Sequence, residues 1–124
     1  MSKLIALLAL VGWLVAQPTA AQNGEILVQT SLAAGLAHHE AKRLWSELRR
    51  GDGLTLVREP GNPHDPKAVR VEWNGHLLGY LPRTENEAVA RQLDRGNRLQ
   101  ARIIGIGTYR NHRRRLEIEI YVRL

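Results

Sequence analysis

The sequence predicts a mainly β fold, a small and strongly bent antiparallel barrel of six strands carrying two short α-helices. Apolar and polar residues alternate with period two in short runs, most clearly at Val69, Val71 and Trp73 and again at Leu116, Ile118, Ile120 and Val122. Asn74-Gly75 stands between two such runs, and a type I′ hairpin turn needs positive φ at both of its central positions. No strand–helix–strand repeat is present, so pairing is local and antiparallel and a dinucleotide crossover is excluded.

Glu25 to Leu32 holds Ile26, Leu27 and Val28 and forms the first strand, ended by the flexible Ala33-Ala34-Gly35. Glu40 to Leu48 places Leu44, Trp45 and Leu48 on one helical face and stops at Gly51. Leu54, Leu56 and Val57 open a second strand. Pro60, Pro63 and Pro66 then forbid regular structure, because each fixes φ and lacks a backbone donor. The hairpin of Val69–Trp73 and His76–Leu81 follows, closed by Pro82. Thr84-Glu85-Asn86-Glu87 has the form of a capping box opening a helix that runs to about Arg95, with Val89 and Leu93 inward and Gly96 at the exit. Arg98 to Thr108 is a strand bent at Gly105 and Gly107, Asn111-His112 turns the chain, and Leu116 to Val122 is the last strand. Trp45 and Trp73 occupy core positions in this reading.

The chain has 124 residues, 44% apolar and 24% charged, which is globular composition of single-domain size. Lys and Arg number 18 against 12 Asp and Glu, a surplus that favours polyanionic partners. Cysteine is absent, which excludes disulfides, thiolate zinc sites and a cysteine nucleophile. Met1-Ser2-Lys3 gives a positive start, Leu4 to Ala16 is uncharged, Gln17-Pro18 breaks any helix, and Thr19-Ala20-Ala21 supplies small residues. That is the layout of a secretory signal peptide over residues 1–21, leaving a domain at 22–124 in the periplasm or outside the cell. The uncharged run is shorter than the roughly 20 apolar residues of a spanning helix, so no stable membrane span remains after cleavage; an uncleaved anchor is the competing reading.

The stretch from Leu56 through Glu59-Pro-Gly-Asn62-Pro-His64-Asp65-Pro66 to Ala68-Val69, then Asn74-Gly-His-Leu-Leu-Gly79-Tyr80-Leu-Pro-Arg83, resembles the HIRAN domain family. With the order of the surrounding elements, the resemblance extends over about Ile26 to Val122. It implies a barrel related to the OB and SH3-like folds, and a non-enzymatic module that captures the free 3′ end of single-stranded DNA. Helicase and nuclease activities attached to the family belong to fused partners, and no phosphate-binding Gly-Lys-Ser/Thr loop is present here.

Carried onto this chain, the resemblance implies that Asp65 accepts a hydrogen bond from a terminal 3′-hydroxyl. An ionised carboxylate only accepts hydrogen bonds, so it welcomes a hydroxyl and repels a phosphate. Asn62 then bonds a base edge or its own loop, His64 and Tyr80 offer flat faces, and Arg83 clamps a phosphate. His38 stands in Gly35-Leu-Ala-His38-His39 where the family has an aromatic, and Ala37 stands where the family has a polar or basic residue. Each has a blander reading as well. Asp65 can brace its own turn, and Arg113-Arg114-Arg115 reads as a solvated hairpin tip or, if near the barrel mouth, as a phosphate contact. No cofactor is implied, and the scattered histidines lack metal-ligand spacing. Ser31 and Ser46 sit in no nucleophile motif. The leader opens an alternative of another class, an exported module that binds an envelope protein or an anionic polymer.

Cleavage after Ala21 yields a product starting at Gln22, which Edman sequencing of the exported chain will read directly; an intact Met1 would overturn the leader assignment.

Overall fold

The computed structural model describes Gly24 to Leu124, so the signal peptide expected at 1–21 lies outside the described residues. Six strands form one antiparallel sheet: β1 (Glu25–Leu32), β2 (Gly53–Arg58), β3 (Val69–Trp73), β4 (His76–Tyr80), β5 (Gln100–Thr108) and β6 (Arg114–Arg123). Their spatial order is β1-β6-β5-β2-β3-β4. Two short helices, α1 (Ala41–Leu44) and α2 (Glu87–Asp94), lie between strands. Among the described residues no helix is long and apolar enough to cross a membrane.

Strong bending comes from β2, which changes partner along its length. Gly53 and Leu54 pair with Arg102 and Ala101 of β5, whereas Thr55 to Arg58 pair with Glu72 to Val69 of β3. The sheet thus folds over a core of Val69, Val71, Leu78, Ile103, Leu116, Ile118 and Ile120, all essentially without solvent exposure. Each such side chain contributes roughly 1.5–3 kcal/mol of burial. Val89 of α2 joins this core, with Leu93 packed partly against the same cluster.

The edge strands β1 and β4 share no hydrogen-bonded ladder, so the barrel is not fully closed. One bridge ties them. Ala34, just beyond β1, donates its N–H to the Tyr80 carbonyl at 2.8 Å and accepts from the Tyr80 N–H at 2.9 Å. Gly79 makes this approach feasible, because a Cβ there would lie 2.4 Å from the Ala34 carbonyl oxygen. The β3–β4 hairpin turns at Asn74 and Gly75 with φ of 48° and 82°, as their order in the sequence requires. A bulge sets Glu72 against Leu77 but Val71 against Gly79, which adds one residue to β4 and re-aims Tyr80.

Three expectations change in detail. The helix at Glu40–Leu48 is a single α-turn, Ala41–Leu44, continued by a 3-10 turn at Trp45–Glu47, since Leu48 already adopts extended geometry on its way into the core. The capping box at Thr84–Glu87 does not form: Thr84 sits in a turn closed by the Glu85 N–H donating to the Pro82 carbonyl, the helix starts only at Glu87, and its N-cap residue Asn86 makes no side-chain cap bond. Trp45 and Trp73 are half-buried against the core, not inside it, and Tyr121, on the outward row of β6, is buried instead beneath the Arg102 guanidinium 4.1 Å from its ring centre.

Gly79→Ala is expected to lower stability by about 1–3 kcal/mol through overpacking at Ala34, while Gly61→Ala, with nothing within 4 Å of its added Cβ, stays within about 0.5 kcal/mol; urea midpoints measure both.

Candidate nucleic-acid interface

The Pro-rich loop between β2 and β3 is held by its own side chains. Asn62 Oδ1 accepts from the N–H groups of His64 (2.8 Å) and Asp65 (3.1 Å), and its Nδ2 donates to Glu59 Oε1 at 2.7 Å. Asp65 Oδ1 accepts from the Lys67 N–H at 2.9 Å. These are the local bonds by which Asn and Asp fix turns. Arg58 anchors the loop's far end, donating to the carbonyls of Ala68 and Pro66 while pairing with Asp94 of α2 at 2.8 Å. Prolines that fix φ and polar groups already partnered leave a stiff loop.

Asp65 faces a hollow of about 220 Å³ lined by Ala34, Gly35, Asn62, His64, Asp65, Ala68, Tyr80, Leu81 and Arg83. Five of the six residues singled out from the sequence, Asn62, His64, Asp65, Tyr80 and Arg83, therefore meet around one opening. Asp65 Oδ2 accepts from Asn86 Nδ2 at 2.7 Å and lies 4.0 Å from Arg83 Nε. Both readings of Asp65 hold at once: it braces the loop, and an ionised carboxylate has about four acceptor sites, of which two are used. Asn62 is spent on its own loop. Arg83 donates to the His64 carbonyl yet keeps 73% of its side chain exposed.

Tyr80 is positioned from behind. Its hydroxyl donates to Glu59 at 3.1 Å, Arg70 bonds the same carboxylate at 3.2 Å, and the His39 ring stands edge-on at 5.4 Å. Burial, then the Glu59 carboxylate, push the Tyr80 phenol above its usual range, so it stays protonated and donating. Burial, with His38 and Arg70 and against Glu59, holds His39 below the ordinary imidazole value. For Glu59 burial opposes ionisation, but donors from Asn62, Tyr80 and Arg70 outweigh it and hold the group below the usual carboxylate range. The Lys67 amide does the same for Asp65, helped by Asn86 and Arg83 against the opposing effect of burial.

His38 lies elsewhere. It lines a neighbouring hollow with Ala33, Gly35, Leu36, Ala37, Tyr109, His112, Arg113 and Arg114, and its sequence neighbour His39 is the one that meets Tyr80. A 3-10 turn at Leu36–His38 sets this alternation, which the sequence alone did not resolve. Glu59, Arg70 and Asn86 were not singled out from the sequence either; the contacts that join Arg70 and Tyr80 to Glu59, and Asn86 to Asp65, span 11 to 21 residues. Among the described residues no group of three or more His, Cys, Asp or Glu is placed to hold a metal ion.

Because Glu59 and Asp65 are both depressed in the folded state, their stabilisation is full above the unfolded carboxylate range and is lost as pH falls through their folded values. The melting temperature of the wild type should therefore drop on acidification below about pH 4, and Glu59→Gln combined with Asp65→Asn should flatten that limb; an unchanged limb would show that these carboxylates are not coupled to folding.

A family model described as HIRAN domain matches residues 26–124. Over 53 residues the chain is 43% identical to a rice protein (Oryza sativa subsp. japonica) named Fanconi-associated nuclease 1 homolog, a match that takes in 40% of this chain and 6% of that much longer protein. A protein of Lactobacillus plantarum with a crystal structure superposes with a TM-score of 0.70 at 26% identity, covering 82% of this chain and 96% of that one. The HIRAN domain of human HLTF superposes with a TM-score of 0.62 at 19% identity, covering 79% of this chain and 78% of that one, a likeness of fold. The chain belongs to the HIRAN domain family, a family of nucleic-acid-binding domains.

Proposed function

We propose that the domain binds single-stranded DNA by a free 3′ end seated in the hollow beside Asp65. The observation that carries this reading is the convergence of an ionised acceptor, an exposed guanidinium and an aromatic ring on one small opening. Tyr80, Leu81, Ala34 and Ala68 supply a mostly apolar surface for the flat face of a terminal base, with His64 exposed at the rim. Asp65, fixed by Lys67 and Asn86, accepts a hydrogen bond from the 3′-hydroxyl of the terminal sugar. Arg83 exchanges its exposed contact with the loop for the next phosphate. It is held there by a carbonyl and a long ion pair, so little is lost in releasing it.

Discrimination follows from charge. Two like charges about 4 Å apart cost on the order of 1 kcal/mol in water and about 4 kcal/mol at a protein surface. A 3′-phosphate in place of the hydroxyl meets that repulsion, which corresponds to roughly ten-fold or more in affinity. With the leader expected at residues 1–21, the strand in this reading is extracytoplasmic DNA, met in the periplasm or outside the cell.

Fluorescence anisotropy with matched oligonucleotides tests the reading. The wild type should prefer a 3′-hydroxyl over a 3′-phosphate by about ten-fold or more. Asp65→Asn, which keeps the volume of the side chain, should erase most of that preference while the protein stays folded by circular dichroism. Arg83→Ala should weaken both oligonucleotides alike and reduce the salt slope by about 0.7. Equal affinity of the wild type for both ends would overturn end capture.

A further inference from the structure

The neighbouring hollow has a volume of about 510 Å³, larger than the one beside Asp65, and the two share Gly35 as a wall. Its lining contains two arginines and two histidines and no carboxylate. Most of the half-buried arginines of the fold are cancelled by acids: Arg58 by Asp94, Arg70 by Glu59 and Glu72, Arg102 by Glu25 and Glu119, Arg115 by Glu117. Arg113 and Arg114 make no such pair among the described residues. Arg114 instead lies 5.7 Å from the ring centre of Trp45, a contact that positions the guanidinium and leaves its charge intact. Tyr109 adds an aromatic ring that is 42% exposed.

The turn carrying these groups is ordered. The Tyr109 N–H donates to the Arg113 carbonyl at 2.8 Å, the His112 N–H to the Tyr109 carbonyl at 2.9 Å, and the Arg113 N–H to Asn111 Oδ1 at 3.1 Å. His112 adopts φ 66°, uncommon for a residue other than glycine. An exposed ring beside two uncancelled cations, one of them held over an aromatic face, is a combination that holds single-stranded nucleic acid, rings taking bases and cations taking phosphates.

We propose that the hollow of His38, Tyr109, His112, Arg113 and Arg114 is a second nucleic-acid subsite, receiving the strand as it runs 5′-ward from the end seated at Asp65. This rests on the end-capture reading for the direction of the strand; the chemistry of the subsite stands on its own lining. His38, set apart from the other five candidate residues, has its place here.

The test compares a dinucleotide with a decanucleotide, both ending in a 3′-hydroxyl, on the wild type, Arg113→Ala/Arg114→Ala and Tyr109→Ala. All three side chains are on or near the surface, and circular dichroism verifies folding. The wild type should bind the decanucleotide more tightly than the dinucleotide. The double variant should lose about ten-fold of that gain, with a salt slope smaller by about 1.4 for two phosphates of a single strand, and keep its dinucleotide affinity and 3′-hydroxyl preference. Tyr109→Ala should lose about five-fold on the decanucleotide alone. A double variant with an unchanged length gain and salt slope overturns the subsite while leaving end capture intact. Loss of the length gain in a protein that shows no 3′ preference supports the subsite and removes end capture. A wild type that binds neither oligonucleotide overturns both.

Discussion

The pair of backbone hydrogen bonds between Ala34 and Tyr80 is the constraint on which the rest of the surface depends. It is the only bridge joining the two edges of the six-stranded sheet among the described residues, and it forms because Gly79 lets a carbonyl come closer than any side chain would allow. By pinning the chain just after β1 onto β4, it lays Ala34 and Gly35 along the face where Tyr80 emerges. Both hollows take a wall from that short segment. The conformation of one residue without a side chain thus shapes the surface read as binding nucleic acid.

Around this bridge runs a nearly continuous set of polar contacts. Arg70 and Tyr80 converge on Glu59, Glu59 accepts from Asn62, Asn62 caps the amides of His64 and Asp65, and Asp65 accepts from Asn86 at the start of α2. Linked polar contacts rigidify the segments they join; Arg70 Nε is the one side-chain polar atom buried without a partner among the described residues. Here the network makes a proline-rich loop, without regular structure, behave as a fixed part of the barrel. The same bonds keep Glu59 and Asp65 ionised, so the stiffness of the loop and the charge at its opening have one cause.

Charge is divided by location. Acids are spent on arginines along the sheet, as at Arg102 between Glu25 and Glu119. The cations left without such partners include those at the β5–β6 turn, beside the hollows. At that turn Arg113 and Arg114 keep their charge for a ligand.

Much of this was legible in the residues taken in order. Strand alternation, the Asn74-Gly75 turn and the apolar face of α2 depend on near neighbours, and near-neighbour chemistry is written in the sequence. So were the loop motif and the Tyr80–Arg83 segment, which carried the family resemblance. What the sequence left open were contacts set by distant parts of the chain. Thr84 to Glu87 has the local form of a capping box, but the chain turns at Pro82–Glu85 before the helix begins at Glu87, and the Asn86 amide donates to Asp65, which is distant in sequence. Likewise His38 and His39 are equivalent as neighbours in sequence; the 3-10 turn and the bridge at Tyr80 send His38 to the neighbouring hollow and His39 against the Tyr80 ring. Local propensity determined the elements, and tertiary packing decided which side chains share an opening, because that depends on how the sheet folds over its core.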